Sequence, residues 1–385
     1  MNKIVIKQRE SMKKIYLSSL LVILLFGSTN ALAANFHPAY ANAFATNSII
    51  DIQHSIMMNS IQIFNGTAAA ALGQRAKFVK HDAEDEKYLY GTTPMYGWPR
   101  LYGEYRDGGD STATPTTQIG RNGGDVPEKR PEVSNLWLTW QHFDNYMKFK
   151  NYEGIDTNAD LIMAGLTIAE RQHKNNILSK WGVFGGFTSD NQKNDFINID
   201  GNGGFAGLYT GYTINNINLS FAINAGTLYN NLETDYNGVE FANAWAGAAL
   251  KTTYNIALTD SFTLQPSFYA GYTWISSANY ASASNDSINN QNINSFELTP
   301  EIRAITHMGK GWFASFDFKY AFMLGHGGDV FFNGTQLEDL SAKDYAEYGF
   351  AIEKSIDRFN IAVNIDRRDG GLRGWAGGFN LKYIF

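Results

Sequence analysis

The sequence predicts an all-β fold: a transmembrane antiparallel β-barrel of about 12 strands, preceded by an N-terminal helical segment. Three observations carry this. From residue 134 to 385 the chain repeats alternating segments of about ten residues, the length a tilted strand needs to cross a bilayer. One face of each segment is apolar and aromatic, and the other is small, polar or charged. The composition also suits long strands joined by tight turns, with 26 Phe, 21 Tyr and 37 Gly against only 8 Pro.

The segments fall near 136–149, 159–170, 178–189, 203–214, 217–230, 241–254, 261–274, 295–307, 311–324, 344–354, 358–367 and 372–385. In the eighth, Phe296, Leu298, Pro300 and Ile302 oppose Glu297, Thr299, Glu301 and Arg303. In the ninth, Trp312, Ala314, Phe316, Phe318, Tyr320 and Phe322 oppose Ser315, Asp317 and Lys319. Phe359, Ile361, Val363 and Ile365 of the eleventh oppose Asn360, Asn364 and Asp366. The twelfth puts Trp375, Gly377, Phe379, Leu381, Tyr383 and Phe385 on its greasy side. A soluble sandwich alternates too, but its strands average about five or six residues. No Lys or Arg interrupts the centre of the greasy faces, where each would cost about 2–4 kcal/mol in lipid. The greasy faces are therefore expected to meet lipid. An even strand count lets the last strand pair with the first and leave no edge.

Upstream of the barrel the texture is different. Lys13 and Lys14 precede a short apolar run that ends in Ala31-Leu32-Ala33, the pattern of a cleaved export signal over 1–33 with cleavage after Ala33. That run is too short to span a membrane as a helix. Residues 34–79 read as helical, with Ile49, Ile52 and Ile56 at helical spacing, Ser48 and Asp51 as a capping start, and Asn65-Gly66 as a break. The stretch 80–133 reads as an irregular polar linker or plug. The absence of Cys excludes disulfides and thiol chemistry, and a net charge of −6 weighs against nucleic acid as a partner.

The run "NADLIMAGLTIAERQHKNNILSKWGVFGGFTSD", the strand "FTLQPSFYAGYTW" and the terminal "GWAGGFNLKYIF" resemble the C-terminal translocator barrel of bacterial autotransporters, the type V secretion proteins. The resemblance covers about 134–385. It implies an outer-membrane barrel that translocates or anchors an N-terminal segment, with a helix linking the two through the lumen. It also implies that Phe379, Leu381, Tyr383 and Phe385 form the signal read by the outer-membrane assembly machinery, with periplasmic chaperones and outer-membrane lipid as the other partners. The chain departs from the family pattern in two ways. No large β-helical passenger is recognisable, and some fifty residues separate the helix from the first strand. The alternative is a porin-like channel or structural barrel with 34–133 as a plug.

Catalytic or metal chemistry has little support in the sequence, so no enzyme activity and no cofactor is expected, and the barrel is expected to be monomeric. His142, His173, His307 and His326 lack ligand spacing and read as lumen or loop residues. "GNGG" at 201–204 and "GHGGD" at 325–329 read as turns, and "DGGDS" at 107–111 lacks the spacing of a calcium loop. Glu297, Glu301, Arg303, Asp317, Lys319, Glu347 and Glu353 are expected to pair across the lumen or around a helix.

Overall fold

The computed structural model describes residues 40–64 and 135–385, apart from 150–153, 173–176, 196, 234–237, 282–286, 328, 338–339 and 341. The expected signal over 1–33, residues 65–79 of the helical segment and the polar stretch 80–133 lie outside the described residues.

Twelve long strands form the wall: β1 (Asn135–Met147), β2 (Ile155–Gln172), β3 (Ile177–Lys193), β4 (Asn198–Ile214), β5 (Ile217–Glu233), β6 (Val239–Tyr254), β8 (Phe262–Ile275), β11 (Ile293–Gly309), β12 (Trp312–Gly327), β15 (Tyr345–Ile356), β16 (Phe359–Gly370) and β17 (Leu372–Ile384). Each pairs antiparallel with its neighbours. β17 then pairs with β1 from Asn135↔Ile384 to Met147↔Leu372, and the ring closes. Every segment read from the sequence is a strand. Most run longer than ten residues, because strands of a tilted barrel continue past the lipid into the loops.

Burial follows the two-residue period. On β5, Ile217, Leu219, Phe221 and Ile223 are exposed, whereas Asn218, Ser220, Ala222 and Asn224 are buried. On β12, Trp312, Phe316, Phe318 and Phe322 point outward, and Ser315 and Asp317 point inward. The surface is thus greasy, and the interior mixes buried polar and charged side chains with apolar clusters, unlike a soluble barrel. Phe187 is 74% exposed and Phe316 54%, and no second sheet covers them. Apolar exposure on this scale is stable only in hydrocarbon, and a closed barrel is the sheet that leaves no unpaired backbone there.

The two ends differ. At one, connections are short: Asn215-Asn216 turns β4 into β5 with Asn215 at φ 52°, and Gly309, Lys310 and Gly311 join β11 to β12 at φ values of 87°, 50° and 74°. Positive φ matches the right-handed twist of paired strands and favours Asn and Gly. At the other end the connections lengthen. Two of them, 276–292 and 328–344, build a small sheet of β9 (Tyr280–Ala281), β10 (Ser287–Asn290), β13 (Val330–Phe332) and β14 (Thr335–Gln336), in the order β14-β13-β10-β9. None of the segments read from the sequence corresponds to this sheet. A final two-residue strand, β7 (Ile256–Ala257), pairs with β8.

Two glycine-rich runs are not the turns the sequence suggested. Residues 201–204 lie inside β4, and Gly325–Gly327 inside β12. At Gly201 a Cβ would collide with the Asp190 carboxylate, so glycine there makes room in the lumen rather than bending the chain. Gly165 shows the same use: any Cβ would collide with the Trp137 ring, which lies across it from β1.

Candidate functional site

The lumen holds one helix, α1 (Ala41–Phe64), whose 24 residues span about 36 Å at 1.5 Å each. It starts earlier than Ser48, and the expected Asn65-Gly66 break lies outside the described residues. Ser48 and Asp51 do not cap it. Both lie inside α1, turned toward partners on the wall, and its first turn carries no acidic residue.

The helix is amphipathic in an unusual sense, since both of its faces are buried. It packs mainly on β2–β6 and β8. Ile49, Ile52, Ile56 and Met57 join Leu161, Met163, Phe184, Leu228, Trp245 and Tyr269 in one apolar cluster. Gly247 lies directly under the Gln53 amide, so the helix approaches the wall where a side chain is missing.

Polar contacts hold the opposite side. Arg368 donates from Nη1 to Asp51 Oδ1 at 2.8 Å and Oδ2 at 3.0 Å, and from Nε to Glu347 Oε2 at 2.9 Å. Asn145 Nδ2 donates to Asp51 at 3.2 Å. His54 Nδ1 meets the Glu297 carboxylate at 2.8 Å, while on the β3 side Ser48 Oγ donates to Asp190 at 2.6 Å. Lower down, Asn59 Nδ2 donates to Gln141 Oε1 at 2.6 Å. Arg368 is only 2% exposed. A buried charge persists when paired and hydrogen-bonded, and removing one partner costs about 3–5 kcal/mol.

A lattice of charge continues along β11–β16. Lys319 Nζ lies 3.0 Å from Asp317 and bonds Glu347; Lys251 pairs with Glu301, Arg303 donates to Ser315 and Asn360 to Glu353. Every charged residue expected in the lumen is there. Asp317, Glu347 and Asp366 bring carboxylates within 4.8 Å of one another, but the Lys319 ammonium already serves as their cation. Between this lattice and α1 lies a cavity of about 100 Å³ bordered by His54, Ser55, Asn59, Gln141 and Asp366. The arrangement holds a helix and leaves a polar-lined cavity beside it.

Of the histidines, His142 is neither in the lumen nor in a loop. It sits on the outer face of β1, 3.1 Å from Asp160. His307 faces inward and stacks on Phe313 with centroids 4.8 Å apart. His173 lies outside the described residues, as does the side chain of His326. Phe379, Leu381 and Tyr383 lie on the outer face of β17, with Phe385 just beyond it, and Tyr383 contacts both Phe359 and Phe385. Sequence reasoning missed Asp51, His54, Asp190 and Arg368. For Arg368 the signal was present: it shares a face with Asn364 and Asp366 but falls one residue past the segment as drawn.

The family model for the autotransporter β-domain matches residues 140–366. The chain belongs to the autotransporter β-domain family. No curated protein matches it. Among solved structures, the transport unit of the autotransporter AIDA-I from Escherichia coli superposes with a TM-score of 0.56 at 15% identity, covering 68% of this chain and 92% of that one. The β-domain of the Bordetella autotransporter BrkA gives 0.52 at 12%, covering 65% and 98%. The translocator domain of NalP from Neisseria meningitidis gives 0.52 at 10%, covering 65% and 88%. At these identities the likeness shows the fold. This autotransporter barrel is thus a translocator-type barrel of the bacterial outer membrane. In outer-membrane barrels generally, short turns face the periplasm and long loops the cell surface.

Proposed function

We propose that this autotransporter barrel anchors, and once carried outward, the short segment that precedes α1. The supporting observation is the direction of α1. Its first turn, with Tyr40, Ala41 and Phe44, packs among residues of the long loops, and Asn59 meets Gln141 nearer the short-turn end. A segment ahead of Tyr40 therefore starts from the surface side, and the chain beyond Phe64 from the periplasmic side. A porin-like channel fits less well, because α1 fills the lumen.

In this reading residues 1–33 are an export signal cleaved after Ala33, 34–79 contain the lumen helix, 80–133 are a linker or plug and 134–385 are the barrel. The outer face of the last strand, Phe379, Leu381, Tyr383 and Phe385, is the signal presented to the assembly machinery after periplasmic chaperones deliver the chain. The barrel works as a monomer in lipid and catalyses no reaction.

The chain contains no Cys, so one introduced thiol reports its own position. Asn35→Cys should react with a membrane-impermeant maleimide on intact cells as fully as on permeabilised ones. Reaction only after the outer membrane is opened would refute the reading.

A further inference from the structure

Above the charged lattice, the surface end of the lumen changes character. An apolar cluster crosses the mouth there. The wall contributes Met147, Ile199, Leu232, Phe241, Tyr345 and Leu372, from strands all around the ring. The first turn of α1 fills the centre with Ala41, Phe44 and Ala45, each fully buried. The small sheet covers them from above, burying Ile288 and Val330 completely.

This cover behaves as one leaf. β10 of one loop pairs with β13 of the other from Ile288↔Phe332 to Asn290↔Val330. Gln291 N donates to Asp329 O at 3.0 Å, and Ser287 and Asn333 exchange two bonds of 2.9 Å. Its loops both spring from the β8–β15 side of the ring, so it is a flap rather than a dome. Small latches hold it down. Asn42 Oδ1 on α1 accepts from Ala278 N at 3.2 Å, and Asn47 Nδ2 donates to Leu340 O at 3.1 Å. On the wall, Ser276 pairs with Ala244, and Tyr280 stacks on Phe241 with centroids 5.2 Å apart.

We propose that the β9–β10–β13–β14 sheet is a gate, which shuts the surface mouth over α1 by an apolar seal and opens as one leaf. The partition of the lumen supports this. A polar lattice admits water, and an apolar layer one side chain thick stops it. Strands of two to four residues, joined by few bonds, belong to the part of a structure that opens at low cost. The inference does not depend on whether the segment before α1 is displayed, because the gate is read at a residue beneath it.

That residue is Ala45, which is buried under the sheet. In full-length protein on cells, Ala45→Cys should react with an impermeant maleimide far more slowly than Thr335→Cys, a thiol on the exposed loop of the same end. Adding Ile288→Asp and Val330→Asp, which put charge into the seal, should speed the Ala45→Cys reaction about tenfold or more, in proportion to the open population. If that variant fails to give the folded, heat-modifiable band on a gel, the milder pair Asn42→Ala and Asn47→Ala removes two latches and should raise the rate in the same direction. Fast labelling with the native sheet would overturn the gate, as would rates unmoved by every folded variant.

Discussion

The two halves of the barrel wall treat the same helix differently. On β2–β8 α1 lies directly on a cluster of aromatic and aliphatic side chains and on Gly247, with Ser48–Asp190 and Asn42–Asn243 as polar contacts beside it. On β11–β1 they are carboxylates, ammonium and guanidinium groups and amides, and α1 reaches them through Asp51, His54 and Asn59. Dispersion and close packing are indifferent to a small slide along the helix axis, whereas an ion pair is not. One wall therefore supplies contact and the other supplies position.

The largest expected effect breaks the positioning wall. Arg368→Ala leaves Asp51 with no cation and should lower stability by about 3–5 kcal/mol, read as an earlier urea midpoint by tryptophan fluorescence in vesicles. The double variant Asp51→Asn with Arg368→Met should recover much of that loss, since Glu347 keeps Lys319. Next comes the contact wall. Ile56 is fully buried, and Ile56→Ala should cost about 3 kcal/mol by the same measurement while leaving the Asp51–Arg368 pair intact. Gly165→Ala should be smaller, about 1–3 kcal/mol, because its methyl meets both the Trp137 ring and the Val183 carbonyl. Asn59→Ala should be smallest, about 1 kcal/mol for one partly buried hydrogen bond. Should Ile56→Ala shift the helix along the lumen while Arg368→Ala leaves it in place, the division of labour between the walls would be wrong. A crosslink from α1 to Gln141 would detect such a shift.

The wall was legible because lipid and lumen impose opposite chemistries on successive residues, so Phe316, Asp317 and Phe318 announce a strand without any partner in view. The charges of β11, β12 and β15 were legible for the same reason. The start of α1 was not. "ANAFATN" is uncharged with no acidic first turn, and its Asn42 and Asn47 side chains bond the loops, contacts that the sequence does not reveal. Nor was the Asp51–Arg368 pair, whose members are far apart in the chain; "DRRDG" looks like a charged turn until β16 is seen to run through it. The small surface sheet was hidden because its strands are too short to show a period. It forms only once two loops from neighbouring hairpins meet.

The seam between β1 and β17 carries a consequence for biogenesis. β17 leaves the ribosome after every other stave, and its partner is the first of them. No intermediate of the growing chain can be a finished cylinder, so closure waits until synthesis of the wall is over. By then α1 has long existed. It must either be wrapped as the staves close around it or be drawn in lengthwise afterwards, and the buried charges along its flank favour assembly in which helix and wall meet while water can still leave.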